Sequence, residues 1–439
     1  MTKTQSLAPT LFPVLLVNFI GMLGYSIIMP FLVFLVNDFG GNAIIYGILG
    51  SVYPAFQFFG APILGRWSDT YGRRLILFLS QAGTLLAWII FMIALLVPVN
   101  ELLNMEGGIL GSFTLTLPLV FLFAARALDG LTGGNVSVAN AYLSDISDDK
   151  TRKANFGKMA MSSSMGFILG PTLAGVLGAT LLEEKLPVMA AMLISIVALL
   201  VIWFRLPEST INPVKPHLAD FKLRRLFANE HKDCYELADC EEKGLKAVWK
   251  IPFIPFLLLM YFLTFLGFSF FYSSFPMHAL KVLNWSSFEL GIFFSILSGL
   301  MILVQGPLLS WLSKKTSDEK LVMIGSFLLM INFLLIGSSQ LILVGIGMVF
   351  FALGNGLMWP SFLSIVAKVA GDKQQGAVQG IANSSGSLAS ILGLILGGML
   401  YNSFAGVTFQ MAAILLLLIF FLSFRLFNLS SKASTDINE

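Results

Sequence analysis

Apolar stretches recur along the whole chain, near 11–36, 44–64, 75–98, 117–143, 156–181, 187–205, 252–277, 288–312, 320–338, 341–369, 376–401 and 406–428, separated by short polar breaks. A helix needs about 20 apolar residues to cross the hydrocarbon core of a bilayer, whereas a barrel strand needs about ten of alternating polarity. The lengths match helices. The pattern therefore predicts an all-α integral membrane fold of twelve transmembrane helices. The first stretch is too long for the apolar core of a signal peptide and no small-residue cleavage site follows it, so it is expected to be kept as the first span.

Composition agrees and narrows the class. Of 439 residues, 56% are hydrophobic and 12% charged, and Phe occurs 40 times against 24 acidic residues. A water-facing surface cannot be built from so few charges. Disulfide-rich, collagen-like and disordered classes are excluded by two cysteines, no glycine period and no long polar tract. The net charge of +3 carries no implication of nucleic acid, because basic residues in such a chain are distributed by topology. With the N-terminus placed in the cytoplasm, the outer loops hold only Lys185 and Lys281, and every other base except Arg126 falls on the inner side. Both termini are expected to be cytoplasmic, in a multi-pass protein of the plasma (inner) membrane.

The polar segment from Pro207 to Lys250 divides six spans from six. The expected organisation is an N-terminal six-helix bundle (1–206), a cytoplasmic linker (207–251) and a C-terminal six-helix bundle (252–439). Within the linker, 221–227 has the spacing of an amphipathic helix lying on the inner membrane face. Cys234 and Cys240 stand near His217 and His231, but that spacing fits no common zinc site and no metal is expected. An internal repeat supports the division. Residues 149–170 align without a gap on 372–393, pairing Asp149 with Asp372, Gly157 with Gly380, Ser162 with Ser385 and Gly170 with Gly393. A weaker match sets Pro62 against Pro307 and Ser68 against Ser313. Two pseudo-symmetric six-helix bundles are the architecture of rocker-type transporters, whose substrate sites lie near the bilayer midplane.

Between the second and third spans stands Gly65-Arg-Trp-Ser-Asp69-Thr-Tyr-Gly72-Arg73-Arg74. A tight loop at the membrane edge needs glycines to turn, and a carboxylate beside two guanidiniums can latch onto a neighbouring helix end. Asp145 ends the fourth span on the same side, so an Arg73–Asp145 ion pair is expected, with Asp69 set against the start of the eleventh helix near Gly376. This stretch resembles the loop signature of the major facilitator superfamily, with Thr70 where the family usually has a base. Arg126-Ala-Leu-Asp-Gly130 resembles the R-x-x-x-G pattern of its proton-coupled members. Gly166-Phe-Ile-Leu-Gly170-Pro171-Thr-Leu-Ala-Gly175 resembles the signature of twelve-span drug:proton antiporters. The stretches 141–145 and 376–380 are similar to their counterparts in tetracycline-efflux proteins. The resemblance implies the major facilitator fold, alternating access and exchange of a drug for protons. Tetracycline exporters typically carry an acid on the first span near the position of Asn18 and another in the second half; this chain has neither at depth, which speaks against tetracycline itself.

The glycine motif also has a reading of its own. Gly166, Gly170, Ala174 and Gly178 recur every four residues and make one side of the fifth span nearly flat. That serves close packing alone, or, with Pro171 in mid-span, a bend used in alternating access. Charge inside the membrane is the sharper signal. Asp129 and Arg126 are the only acid and base placed at depth, and three residues apart they share one helix face. Such residues mark proton or ion paths, or else form a permanent structural pair. Asp129 is the candidate proton-coupling group and Arg126 the residue that links its charge to substrate.

Uncharged polar and aromatic residues supply a candidate substrate cavity: Asn18, Tyr25, Tyr53, Gln57, Phe268, Tyr272, Gln305, Asn355, Trp359 and Asn383. For any one of them a hydrogen bond within the bundle is the competing role. His278 falls at an outer helix end, where solvation is the usual state. No Walker loop, GxSxG, HExxH or paired carboxylates are present, so no enzyme activity and no cofactor are expected. Energy would come from an ion gradient, worth about 2.3 kcal/mol per charge per 100 mV. The leading expectation is export of a lipophilic or amphiphilic small molecule in exchange for protons. Proton-coupled or facilitative uptake of a metabolite is the alternative within transport, and a non-transporting scaffold or receptor the alternative outside it. The expected partners are that substrate, protons and the lipid bilayer, and a monomer is expected.

Overall fold

The computed structural model describes residues 11–133, 135–147, 152–209, 251 and 253–435. Its helices are α1 (Leu11–Ile27), α2 (Leu32–Asp38), α3 (Ala43–Tyr71), α4 (Arg73–Leu96), α5 (Leu117–Thr132), α6 (Asn135–Asp145), α7 (Arg152–Gly178), α8 (Lys185–Arg205), α9 (Ile254–Lys281), α10 (Ser287–Leu303), α11 (Leu309–Leu312), α12 (Asp318–Ile336), α13 (Leu341–Phe404) and α14 (Val407–Thr435). Among the described residues, eleven helical stretches are long and apolar enough to cross a membrane, and the bent pair α1–α2 makes a twelfth. The fold is an all-α membrane bundle.

Several spans depart from the simple rods expected, each for a local reason. α1 and α2 meet at a 40° bend. Pro30 has no N–H to continue the ladder, and the turn closes through tighter bonds from Met29 N to Ser26 O and from Phe31 N to Ile28 O. The expected span 117–143 is present as one span, Leu117–Asp145, in which α5 ends at Thr132 and α6 starts at Asn135. The eighth span carries a π-helical turn at Val304–Leu308, where Pro307 removes one donor. The polar break expected at 370–375 is instead helical, and α13 runs for 64 residues through both the tenth and eleventh spans. That break holds no proline and contains Lys373, Gln374 and Gln375, all good helix formers. The loop after α4 forms a two-stranded antiparallel hairpin, β1 (Glu101–Met105) with β2 (Phe113–Thr116), which the apolar pattern did not predict. Residues 210–250, with the amphipathic run 221–227, Cys234, Cys240, His217 and His231, lie outside the described residues.

The chain divides into two compact units, residues 1–41, 52–106 and 112–240 in one, and 42–51, 107–111 and 241–439 in the other. In the first unit α4 shows how membrane helices sort their faces. Leu75, Leu79, Leu86, Ile89, Ile93 and Leu96 are exposed, while Ser80, Gln81, Thr84 and Trp88 are buried. In lipid there is no hydrophobic drive between helices, so small and polar residues turn inward. The α1–α7 seam follows the same rule. A Cβ on Gly166 would lie 2.4 Å from the Phe19 carbonyl oxygen, so only glycine permits this crossing. Ser26 Oγ donates to Gly166 O (3.1 Å), and Ser162 Oγ to Leu15 O (2.5 Å). In the second unit the core is aromatic, with Phe271, Phe275, Phe333 and Phe351 fully buried.

Candidate functional site

The α3–α4 connection is a single left-handed residue. Gly72 has φ +100°, a conformation side chains resist, and a Cβ there would lie 2.5 Å from Glu208 Oε2. The space it leaves admits the Glu208 carboxylate, whose Oε1 accepts from Arg73 N (2.8 Å) and whose Oε2 accepts from Arg74 N (3.2 Å). A carboxylate thus caps the exposed N–H groups at the start of α4, where the helix dipole also favours negative charge. Arg73 is buried and bridges two acids, reaching Asp69 (2.5 Å) on α3 and, through Nε, Asp145 (3.0 Å) on α6. The expected Arg73–Asp145 pair is present. Arg73 also donates to Ser68 Oγ (2.5 Å), and Ser209 Oγ donates to the same Asp145 oxygen (3.0 Å). Arg74 donates to the Trp203 carbonyl and lies 5.9 Å over that indole ring. Gly65, expected in the loop, lies within α3, and a Cβ there would meet no atom within 4 Å, so no close approach requires a glycine at this position.

Deeper in the first unit, Arg126 and Asp129 are 3% and 8% exposed. Their closest approach is 3.5 Å, long for a charge-assisted bond, which usually closes to about 2.8 Å. The guanidinium is drawn instead over the rings of Tyr53 (4.8 Å) and Tyr25 (5.8 Å), which touch each other at 4.8 Å. Its Nε has no partner among the described residues. α5 ends one turn beyond Asp129, and the carbonyls freed there are taken by side chains of other helices. Gln57 Nε2 donates to Gly133 O (2.8 Å) and to Tyr53 Oη (3.1 Å), and Ser80 Oγ donates to Thr132 O. α3 approaches this point closely, since a Cβ on Gly130 would lie 2.4 Å from Tyr53 O. The result is a loosely paired acid and base one turn before the end of α5, inside a membrane span, where polar backbone is tolerated only if it is buried in protein or lines a wet cavity.

In the second unit an aromatic group surrounds Trp359. Tyr261 and Phe265 lie 5.2 Å from its ring, Phe268 6.3 Å and Phe362 6.4 Å. Tyr261 Oη donates to Asn383 Oδ1 (3.2 Å), which orients an exposed amide beside half-buried rings.

Other expected site residues have different surroundings. Asn18 is 1% exposed and ties α1 to α7 through Met159 O (3.1 Å) and Ser163 Oγ (2.6 Å). Tyr272 has its ring against Phe271 and Phe294. Asn355 is buried with its amide nitrogen 3.9 Å from Met301 Sδ, and Gln305 is half-buried in the π-helical turn. α7 continues through Pro171 without a break; Gly166 and Gly170 lie close against α1, Gly170 facing Ser26, and Gly175 is buried. His278 is buried, not solvated. Its Nε2 bonds Ser338 O (3.1 Å) and its Nδ1 meets Tyr401 Oη (3.3 Å). Glu208, Ser209, Ser80, Tyr261 and Phe265 were not singled out from sequence, and only the Pro207-Glu208 step directly after a span carries a signal that could have found one of them.

A profile of the Major Facilitator Superfamily matches residues 14–331 and 305–439. The chain belongs to the major facilitator superfamily. Curated members similar to it include the class E tetracycline resistance protein of Escherichia coli, 26% identical over 403 residues covering 90% of this chain and 88% of that protein. Major facilitator superfamily domain-containing protein 10 of Mus musculus is 26% identical, covering 88% and 79%. Among solved structures, the human organic anion transporter MFSD10 (TETRAN) superposes with a TM-score of 0.65 at 22% identity, covering 94% of this chain and 98% of that one. A D-xylose-proton symporter superposes with a TM-score of 0.71 at 13% identity, covering 94% and 96%. Members of the superfamily are transporters, so this multi-pass membrane protein moves a small molecule and is not an enzyme.

Proposed function

We propose that the protein is a secondary active transporter that exports a lipophilic or amphiphilic small molecule in exchange for protons by alternating access. The observation that carries this reading is the Arg126–Asp129 pair, buried yet 3.5 Å apart and competed for by two tyrosine rings. A tight structural pair would close to bond length and stay there. A loose one can be parted at little cost, and parting it changes the energy of a charge on the carboxyl group. Asp129 is then the group that takes up and releases the proton, and Arg126 reports substrate occupancy to it. The aromatic group around Trp359 offers flat apolar faces with a single oriented amide, which suits greasy molecules more than sugars. Relatives named for resistance to tetracycline and, in Bacillus subtilis, to multiple drugs agree with export. The likeness to a sugar–proton symporter is one of fold and does not favour uptake.

Both termini lie in the cytoplasm, the membrane is the plasma membrane, and the protein works as a monomer. The Gly72–Glu208–Arg73–Asp145 cluster is then a cytoplasmic latch between α3, α4, α6 and the start of the linker. The test is Asp129→Asn in proteoliposomes with an imposed pH gradient and a panel of lipophilic dyes. Gradient-driven accumulation should vanish while dye binding survives. Full gradient-driven transport by that variant would leave Asp129 as a structural partner of Arg126.

A further inference from the structure

One face of α4 is polar, buried and unbonded. Gln81, Thr84 and Trp88 follow at helical spacing and are 1%, 7% and 3% exposed. Among the described residues, neither amide atom of Gln81, nor the Thr84 hydroxyl, nor the Trp88 indole N–H has a hydrogen-bond partner. Helix packing does not explain this. On the α1–α7 seam of the same unit the hydroxyls of Ser26 and Ser162 are bonded to backbone, and Ser80, next to Gln81, is bonded to Thr132. Buried polar groups that protein does not satisfy are characteristically met by internal water.

The position of this face gives it a use. The Thr84 hydroxyl faces the Asp129 carboxyl from α4. Gln81 lies one turn nearer the Arg73 end of α4, where Ser80 and Gly83 both touch Thr132 of α5. Trp88 lies one turn the other way, its Nε1 3.8 Å from where a Cβ on Gly24 would stand, beside Tyr25. The charged and titratable groups around Asp129 are Arg126 on its own helix, Tyr53 on α3 and, against Arg126 and Tyr53, Tyr25 on α1; α4 contributes only uncharged polar groups.

We propose that Gln81 and Thr84 hold a file of water against Asp129, and that the coupling proton moves along it between Asp129 and the Arg73 end of α4. The proposal rests on the reading of Asp129 as the coupling group. On release the O–H bond of the carboxylic acid breaks, the proton passes to the water bonded by Thr84, and an equivalent proton leaves the far water, so no reactant beyond water is needed. The carboxylate remains beside Arg126. Thr84 can accept and donate in turn, whereas Gln81 keeps its protons and acts as a positioning residue for the next water. Ile76 and Leu77, in an apolar cluster with Leu143 and Val138, bound the file one turn beyond Gln81. Release is therefore gated by the parting of that cluster, which keeps the path from leaking.

The experiment follows the C=O band of the Asp129 carboxylic acid by infrared difference spectroscopy on the full chain after a pH jump. The band is assigned by its loss in Asp129→Asn. If no such band exists at any pH, Asp129 does not titrate and the coupling reading itself fails. If it exists, Thr84→Val should shift its frequency. Gln81→Leu should slow its appearance by about 100-fold, the lower end of what positioned proton relays contribute, without moving the titration midpoint, and Gln81→Asn should recover most of the rate. An unchanged rate in Gln81→Leu overturns the water file. A second measurement needs no α4 variant to fold: exchange of the Trp88 indole N–H for deuterium in the wild-type protein, read by Raman spectroscopy against Trp88→Phe. Exchange on the timescale of Asp129 supports a wet seam, and protection for hours overturns it.

Discussion

The α1–α7 crossing can be probed with one methyl group. Gly166→Ala places a carbon 2.4 Å from Phe19 O, 2.9 Å from Leu23 N and 3.0 Å from Met22 Cβ. An ordinary contact begins near 3.4 Å, so the two helices must part by about 1 Å. Two of the three obstructing atoms are backbone, and no rotamer change relieves them. Overpacking of this kind costs roughly 1–3 kcal/mol. Parting also loosens Ser26–Gly166 and Asn18–Ser163, polar contacts worth about 0.6 kcal/mol each inside a membrane protein. Against these stands the better helix propensity of alanine, about 1 kcal/mol. The net expectation is a loss of about 1–3 kcal/mol. Gly157, on the same helix, has no atom within 4 Å of a built Cβ, so Gly157→Ala keeps only the propensity gain. Thermal unfolding of both variants, purified full length in one detergent, should place Gly166→Ala below wild type and Gly157→Ala at or above it. Equal melting temperatures for the two would refute the claim that close backbone approach sets this seam.

Three further outcomes are expected. Glu208→Ala leaves two N–H groups of the first turn of α4 without their acceptor, and a loss of about 1 kcal/mol in thermal unfolding, typical of a lost helix cap, should follow together with slower transport; a variant as stable and as fast as wild type would show that solvent replaces the carboxylate. Arg73→Lys keeps the charge but loses the fork that holds Asp69 and Asp145 at once, so transport should fall even though expression is normal, and Arg73→Lys at wild-type rate would mean that charge alone suffices. Trp359→Ala removes ring contacts to Tyr261, Phe265 and Phe268, and the half-saturating concentration of a transported aromatic dye should rise by roughly 2–10-fold, as the loss of one aromatic pair implies; an unchanged value would place substrate elsewhere.

Much of the protein could be read locally. Length and apolarity of a stretch decide whether it spans a bilayer, and both are properties of consecutive residues, so the spans and the membrane class were legible. So was the Arg126–Asp129 pair, because three residues on one helix turn are neighbours whatever surrounds them. The Arg73–Asp145 pair spans 72 residues but was legible because both lie at helix ends on one side of the membrane. Helical periodicity says which face a residue occupies, yet not which helix that face meets. Asn18 fitted a cavity wall as well as a seam until α7 was packed against α1. The pull of Tyr25 and Tyr53 on Arg126 needs three helices in place, and the ends of α5 and of the α3–α4 turn are stabilised by Gln57, Ser80 and Glu208 from distant parts of the chain. Where backbone leaves its regular ladder inside a membrane, its polar groups must be satisfied by whatever the tertiary fold brings there, and that choice belongs to the packed helices rather than to any one segment.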